Sequence, residues 1–307
     1  MPALVSCTKP DKGVLQQDGS DPLPVALLVE REITGPILNS DLRRPFGLAR
    51  DARGNIYLND SGNDRLLRLK ADLTADREIG GYGAQTGLLN RPTFVAVDNS
   101  LNLMVSDEGN RRVSRYNSQL AFVDALSFYD EDDPLKFGYP SGIAFTDYGE
   151  VWVADRDNNQ IAIFNNVGKF DRFLGDYGYS GGQLSSPEKI ARDERGNFIV
   201  CDAGNARVAV YDSYGNFAYE TGLDGDSYPI AATADKTLLW VLDRRNSKVL
   251  CFDREGYLVF EVGPALPGGE SSLKNPSDLI ILSSGMLLIS DTGNNRLVLC
   301  RIVYEDK

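Results

Sequence analysis

The chain of 307 residues is 42% apolar and 25% charged, a globular balance that excludes disorder as the dominant state. Its 32 lysines and arginines stand against 44 aspartates and glutamates, and the net charge of −12 opposes long-range attraction to nucleic acid or anionic lipid. There is no histidine, which excludes Ser-His-Asp and Cys-His catalysis within the chain, the usual zinc sites and histidine pH switching.

In chain order, residues 1–24 carry Pro2, Pro10, Pro22 and Pro24 without periodicity and read as a flexible tether. Within them Leu4-Val5-Ser6-Cys7 resembles the lipobox of bacterial lipoproteins, although neither a basic nor an apolar stretch precedes it. That resemblance implies an extracytoplasmic lipoprotein of the cell envelope or periplasm; without lipid on Cys7 the expected location is cytoplasmic. No run of ~20 apolar residues occurs, so a membrane would be reached only through that lipid. The other cysteines, Cys201, Cys251 and Cys300, lie in apolar strand-like runs and read as buried thiols.

From residue 25 onward one pattern recurs: a proline, an apolar strand, a polar turn, a second strand ending in Asp, a short turn and a third strand. The prolines are Pro45, Pro92, Pro140, Pro187, Pro229 and Pro276; the aspartates are Asp60, Asp107, Asp155, Asp202, Asp243 and Asp291. Fourth strands follow, as at Arg77-Glu78-Ile79 and Phe260-Glu261-Val262, and then Gly-rich loops lead to the next proline. Four antiparallel strands repeated at this length predict an all-β, six-bladed β-propeller over residues 25–307. The sixth unit runs out of chain after its third strand. Residues 25–33 copy a fourth-strand segment, so this N-terminal strand is predicted to complete the last blade and close the ring.

Pro before the first strand and Asp-x-Gly-Asn-x-Arg after the second resemble the NHL repeat, over roughly residues 25–303. Propellers of this type serve as RNA readers, protein and peptide binders, sensors and a few enzymes, so the resemblance implies a fold more sharply than a function. The repeat aspartates read as scaffold. Each is expected to accept hydrogen bonds from its own turn, with Gly at positive φ, and the basic residue five positions on (Arg65, Arg112, Arg207, Lys248 and Arg296) to pair with a neighbouring Asp or carbonyl. Gln160 is the exception.

Function is expected where the repeats differ, on the face that carries both the Asp turns and the interblade loops. Tyr82, Tyr129, Tyr139, Tyr177, Tyr179 and Tyr228 are expected to surround the channel mouth, with Arg112 and Arg244 beside them. Tyrosine offers rigid contact area with a polar tip, which suits a protein, peptide or glycan partner. The primary expectation is therefore a monomeric, non-catalytic binding scaffold with no cofactor. The acidic run Asp130–Asp133 reads as a solvated loop. An alternative resembles the gluconolactonase-like propellers, whose channel holds calcium for a lactonase or esterase reaction. Glu188 and Asp278, with Lys189, are then the candidates. RNA binding ranks third, because Arg111, Arg112, Arg244 and Arg245 stand alone against the acidic background.

Overall fold

Short β-branched and aromatic runs bounded by Gly, Asn and Asp can bury their apolar faces only by stacking sheet on sheet. The computed structural model describes residues 22–127, 138–283 and 285–305, and these form six four-stranded antiparallel sheets. The innermost strands are Pro45–Arg50, Pro92–Val97, Pro140–Phe145, Pro187–Arg192, Pro229–Ala234 and Asp278–Ser283. Each packs against the innermost strands of both neighbouring blades, which closes a ring around a central channel. The predicted fourth strands lie within Ala75–Gly80 and Leu258–Val262.

The ring closes as expected. Pro24–Ile33 pairs antiparallel with Arg296–Tyr304, from Pro24 opposite Tyr304 to Ile33 opposite Leu297, and serves as the outer strand of the sixth blade. It begins one residue earlier than the sequence pattern indicated. The loop that follows contains a small ladder, Pro36–Ile37 with Ser40–Asp41, which places the Ser40 carbonyl 2.9 Å from Arg65 Nη2. Between blades the core is closely packed. Trp152 stacks on Phe198 with ring centroids 3.9 Å apart, and both are fully buried together with Trp240, Tyr57, Tyr116 and Tyr211. Burial on this scale stabilises by ~1.5–3 kcal/mol for each large apolar side chain.

The repeat aspartates are scaffold, by a geometry that differs from the expected one. Asp202, fully buried, accepts from the Ser185 amide at 2.6 Å, from Asn205 Nδ2 at 2.7 Å and from Arg207 Nε at 2.7 Å. The amide belongs to the loop that enters the innermost strand, not to the turn after Asp202. Asp60, Asp107 and Asp291 repeat the arrangement with the amides of Arg43, Asn90 and Lys274. Each aspartate therefore clips the incoming loop to the second and third strands of its blade. The positive φ also falls elsewhere: Asp64, Arg111, Ala206 and Asn295 adopt it, at 54°, 50°, 49° and 53°. The turn glycines instead permit close approach, since a Cβ on Gly204 would lie 2.3 Å from Ser185 Oγ. The expected pairing fails at Lys248, whose ammonium faces Glu261 at 3.7 Å. Gln160 gives Asp155 only a 3.4 Å hydrogen bond. Cys7, Tyr129 and Asp130–Asp133 lie outside the described residues.

Candidate functional site

Asp turns and interblade loops share one face because the loop carbonyls accept from the turns, as Arg43 does from the Gly62 amide at 2.8 Å and Ser185 from Gly204 at 2.8 Å. Three positions of every blade thereby converge around the channel mouth on this face: the residues before and after the repeat proline, and the residue after the repeat aspartate. Around the ring these positions change, as from Arg44 and Arg91 before the proline to Tyr139 and Tyr228.

At the mouth, Arg156 Nη2 lies 3.2 Å from Glu108 Oε1, and its Nη1 lies 3.7 Å from Glu188 Oε1. Three adjacent blades are thus joined by one guanidinium. Glu188 is 3% exposed and accepts from the Tyr228 hydroxyl at 2.7 Å. Burial pushes its carboxyl above the usual range, opposed by the nearby Arg156 charge and the Tyr228 hydroxyl. The same burial, together with the Glu188 carboxylate, pushes the Tyr228 hydroxyl up. The guanidinium groups rest on rings: Arg111 and Arg156 over Tyr139 at 4.9 and 5.8 Å, Arg244 over Phe46 at 5.6 Å, and Arg245 over Tyr228 at 5.8 Å. Arg244 of the fifth blade reaches Phe46 of the first, so this contact crosses the mouth.

Deeper in, Lys189 of the fourth blade pairs with Asp278 of the sixth and donates to the Leu279 carbonyl at 3.2 Å. The Asp278 carboxylate also accepts from the amides of Leu48 and Leu279, each at 2.7 Å. This cluster ties three blades across the channel. Beyond it, the opposite mouth opens into a cavity of about 300 Å³ walled by Leu48, Val95, Ile143, Phe145 and Ile190, with Lys189 among its lining residues.

The expected tyrosine ring is only partly assembled. Tyr139 and Tyr228 stand at the mouth. Tyr82, Tyr177 and Tyr179 share its face but sit further out, because their loops lie over the third strands: Asn110 Nδ2 donates to the Gly83 carbonyl at 2.8 Å, and Arg207 Nη1 to that of Tyr179 at 3.0 Å. They are 77%, 61% and 72% exposed. Exposure does not single out this face, since Tyr148, Tyr214 and Tyr257 on turns of the opposite face are 84%, 78% and 60% exposed. Arg112 is committed to the scaffold: its Nε meets Asp107 at 2.7 Å, and its other nitrogens bond the carbonyls of Ala84 and Leu88. Glu188 and Asp278 do face the channel, each held by a cation. Among the described residues no group of three or more Asp, Glu or Cys is placed to hold a metal. Sequence places the turns Glu108–Arg112 and Arg156–Asn159 on this face, but it does not single out Glu108, Arg156 or Phe46 as contacts. The signal that finds them is the variable position beside an otherwise repeated proline or aspartate.

Comparison with known proteins agrees with this architecture. A family described as a 6-bladed beta-propeller matches residues 130–252. Protein brain tumor of Drosophila melanogaster is 29% identical over 131 residues, 42% of this chain and 13% of that protein. The B-box type zinc finger protein ncl-1 of Caenorhabditis elegans is 25% identical over 140 residues, 45% of this chain and 16% of that protein. The matched segments thus span less than a fifth of these relatives. Among solved structures, a catalytically inactive histidine-to-alanine variant of virginiamycin B lyase from Staphylococcus aureus, with Quinupristin, superposes with a TM-score of 0.59 at 13% identity. That match covers 92% of this chain and 99% of the lyase.

Proposed function

We propose that the protein is a binding module without chemistry of its own, and that its partner site is the channel mouth on the Asp-turn face. The observation that carries this reading is the mouth itself. Four arginine–ring contacts converge there, and arginine and tyrosine are the residue types that dominate binding hot spots.

Among the described residues, the groups that an enzyme reading would use are already paired or buried. The likeness to the lyase is one of fold, and its histidine has no counterpart in a chain without histidine. Burial pushes the Cys300 thiol up to about 12 and holds Cys201 and Cys251 higher still, so none supplies a thiolate nucleophile. A calcium site would require Glu188 and Asp278 to exchange Arg156 and Lys189 for the ion.

The test is capture of a protein partner from an extract of the native host. Tyr139→Ala should reduce capture several-fold and leave the melting temperature nearly unchanged, whereas Tyr214→Ala on the opposite face should leave capture intact. Loss with Tyr214→Ala and none with Tyr139→Ala would move the site to the other face.

A further inference from the structure

The chemistry of the mouth specifies a partner more closely, and this inference rests on the binding reading above. A chain with net charge −12 gathers Arg91, Arg111, Arg156, Arg244 and Arg245 at one opening, against Glu108, Glu188 and Asp157. The Phe46 ring beneath Arg244 has no polar atom, so it holds the guanidinium plane without using its N–H donors. A guanidinium fixed by a ring therefore retains its fork for a planar two-oxygen acceptor and loses little entropy on binding one.

Arg244 is the clearest case. Its backbone amide donates to the Tyr228 carbonyl at 3.0 Å, and its guanidinium lies over Phe46. Among the described residues that guanidinium has no hydrogen bond or ion pair, and it is only partly exposed. It sits beside Glu188, whose charge it helps to offset. Arg156 is different, being already engaged by Glu108 and Glu188. The structure thus shows one cation at the mouth with open donors, fixed neighbours and an aromatic floor.

We infer that the mouth receives a carboxylate side chain from an acidic peptide segment of the partner, with the Arg244 guanidinium as its fork and the Phe46 and Tyr228 rings as its walls. A single carboxylate matches one guanidinium fork. Closely spaced phosphates would meet Glu108 and Glu188 between the arginines, as well as the repulsive field of the whole chain, so a nucleic acid fits the same surface poorly. A glutamate flanked by small residues can enter the mouth without placing a second charge against Glu188.

The experiment uses the full chain and a fluorescein-labelled octapeptide of alternating glutamate and glycine, followed by anisotropy at about 150 mM salt, where long-range attraction is screened. The expected result is saturable one-to-one binding, with no binding of the matching lysine–glycine peptide. Arg244→Ala should weaken it roughly tenfold, as loss of a hot-spot fork does. Arg244→Lys should weaken it several-fold although the charge is kept, because the fork and the ring contact are lost. Arg195→Ala, which removes the same charge from an exposed turn on the opposite face, should change nothing. The inference is overturned by absence of saturation, by equal losses in Arg244→Ala and Arg195→Ala, by an Arg244→Lys variant that binds like the wild type, or by displacement of the peptide with an oligouridylate. Failure of the glutamate peptide while Tyr139→Ala still reduces protein capture removes the acidic partner and leaves the binding module standing.

Discussion

At the scale of single residues, the chain repeats one buried ionic clip and varies it twice, which lets its contribution be separated. In the fourth blade Asp202 and Arg207 are both buried, so Asp202→Ala leaves three buried donors without their acceptor, Arg207 Nε, the Ser185 amide and Asn205 Nδ2, and leaves Glu220 as the one carboxylate facing the guanidinium among the described residues. The expected cost is about 3–5 kcal/mol. In the fifth blade Asp243 meets Asn246 and backbone amides but no arginine, and Asp243→Ala should cost about 1–3 kcal/mol. Chemical denaturation of the two variants checks the difference; equal losses would mean that the guanidinium contributes nothing. Glu188 supplies a pH test. Its folded-state proton affinity is raised, so it binds a proton more tightly folded than unfolded and favours folding at acid pH. That contribution is lost as pH rises from the unfolded value of about 4.3 through the raised folded one. Relative to Glu188→Gln, the wild type should therefore lose stability as the pH rises above about 4. A wild type that gains on the variant over this range would show that Arg156 and Tyr228 outweigh the burial. The roles of these aspartates were legible because one turn recurs in every blade. The arginine five positions on was legible with them, but the amide of the incoming loop was not, because sequence does not distinguish a glycine needed for positive φ from one needed for close approach, as Gly204 is.

At the scale of elements, the sixth blade is the joint on which the ring depends, because its outer strand comes from the other end of the chain. Pro24–Ile33 covers an edge that Arg296–Tyr304 would otherwise expose along its whole length. Leu27 anchors it, fully buried in the same cluster as Leu279, Leu287 and Val298. Leu27→Ala should cost about 2–5 kcal/mol, and removal of residues 1–33 should yield a chain that self-associates through the uncovered edge. A truncated chain that stays monomeric with an unchanged melting temperature would contradict this role. The element pattern was almost fully readable, since proline and aspartate recur in register and short β-branched or aromatic runs between Gly, Asn and Asp mark the strands. What was missed is the Pro36–Ile37 and Ser40–Asp41 ladder, too short to leave any periodicity.

At the scale of the whole molecule, the two faces differ in kind. Both expose tyrosines, but the arginine–ring contacts lie on the Asp-turn face, and the Lys189–Asp278 cluster separates that mouth from the cavity at the other end. Sequence pointed to this face yet placed Tyr82, Tyr177 and Tyr179 at its centre, because the distance of a loop from the axis depends on which strand it crosses. It put the turns of Glu108 and Arg156 on this face but not their contact with each other and with Glu188, because that convergence spans three blades. The most direct measurement is hydrogen exchange on the protein alone and with its captured partner. The account predicts slowed exchange in residues 107–112, 155–159 and 243–247, with unchanged exchange in the opposite-face turns 51–55, 193–197 and 253–257. Slowing confined to the latter turns would contradict it and place the partner site at the far mouth of the channel.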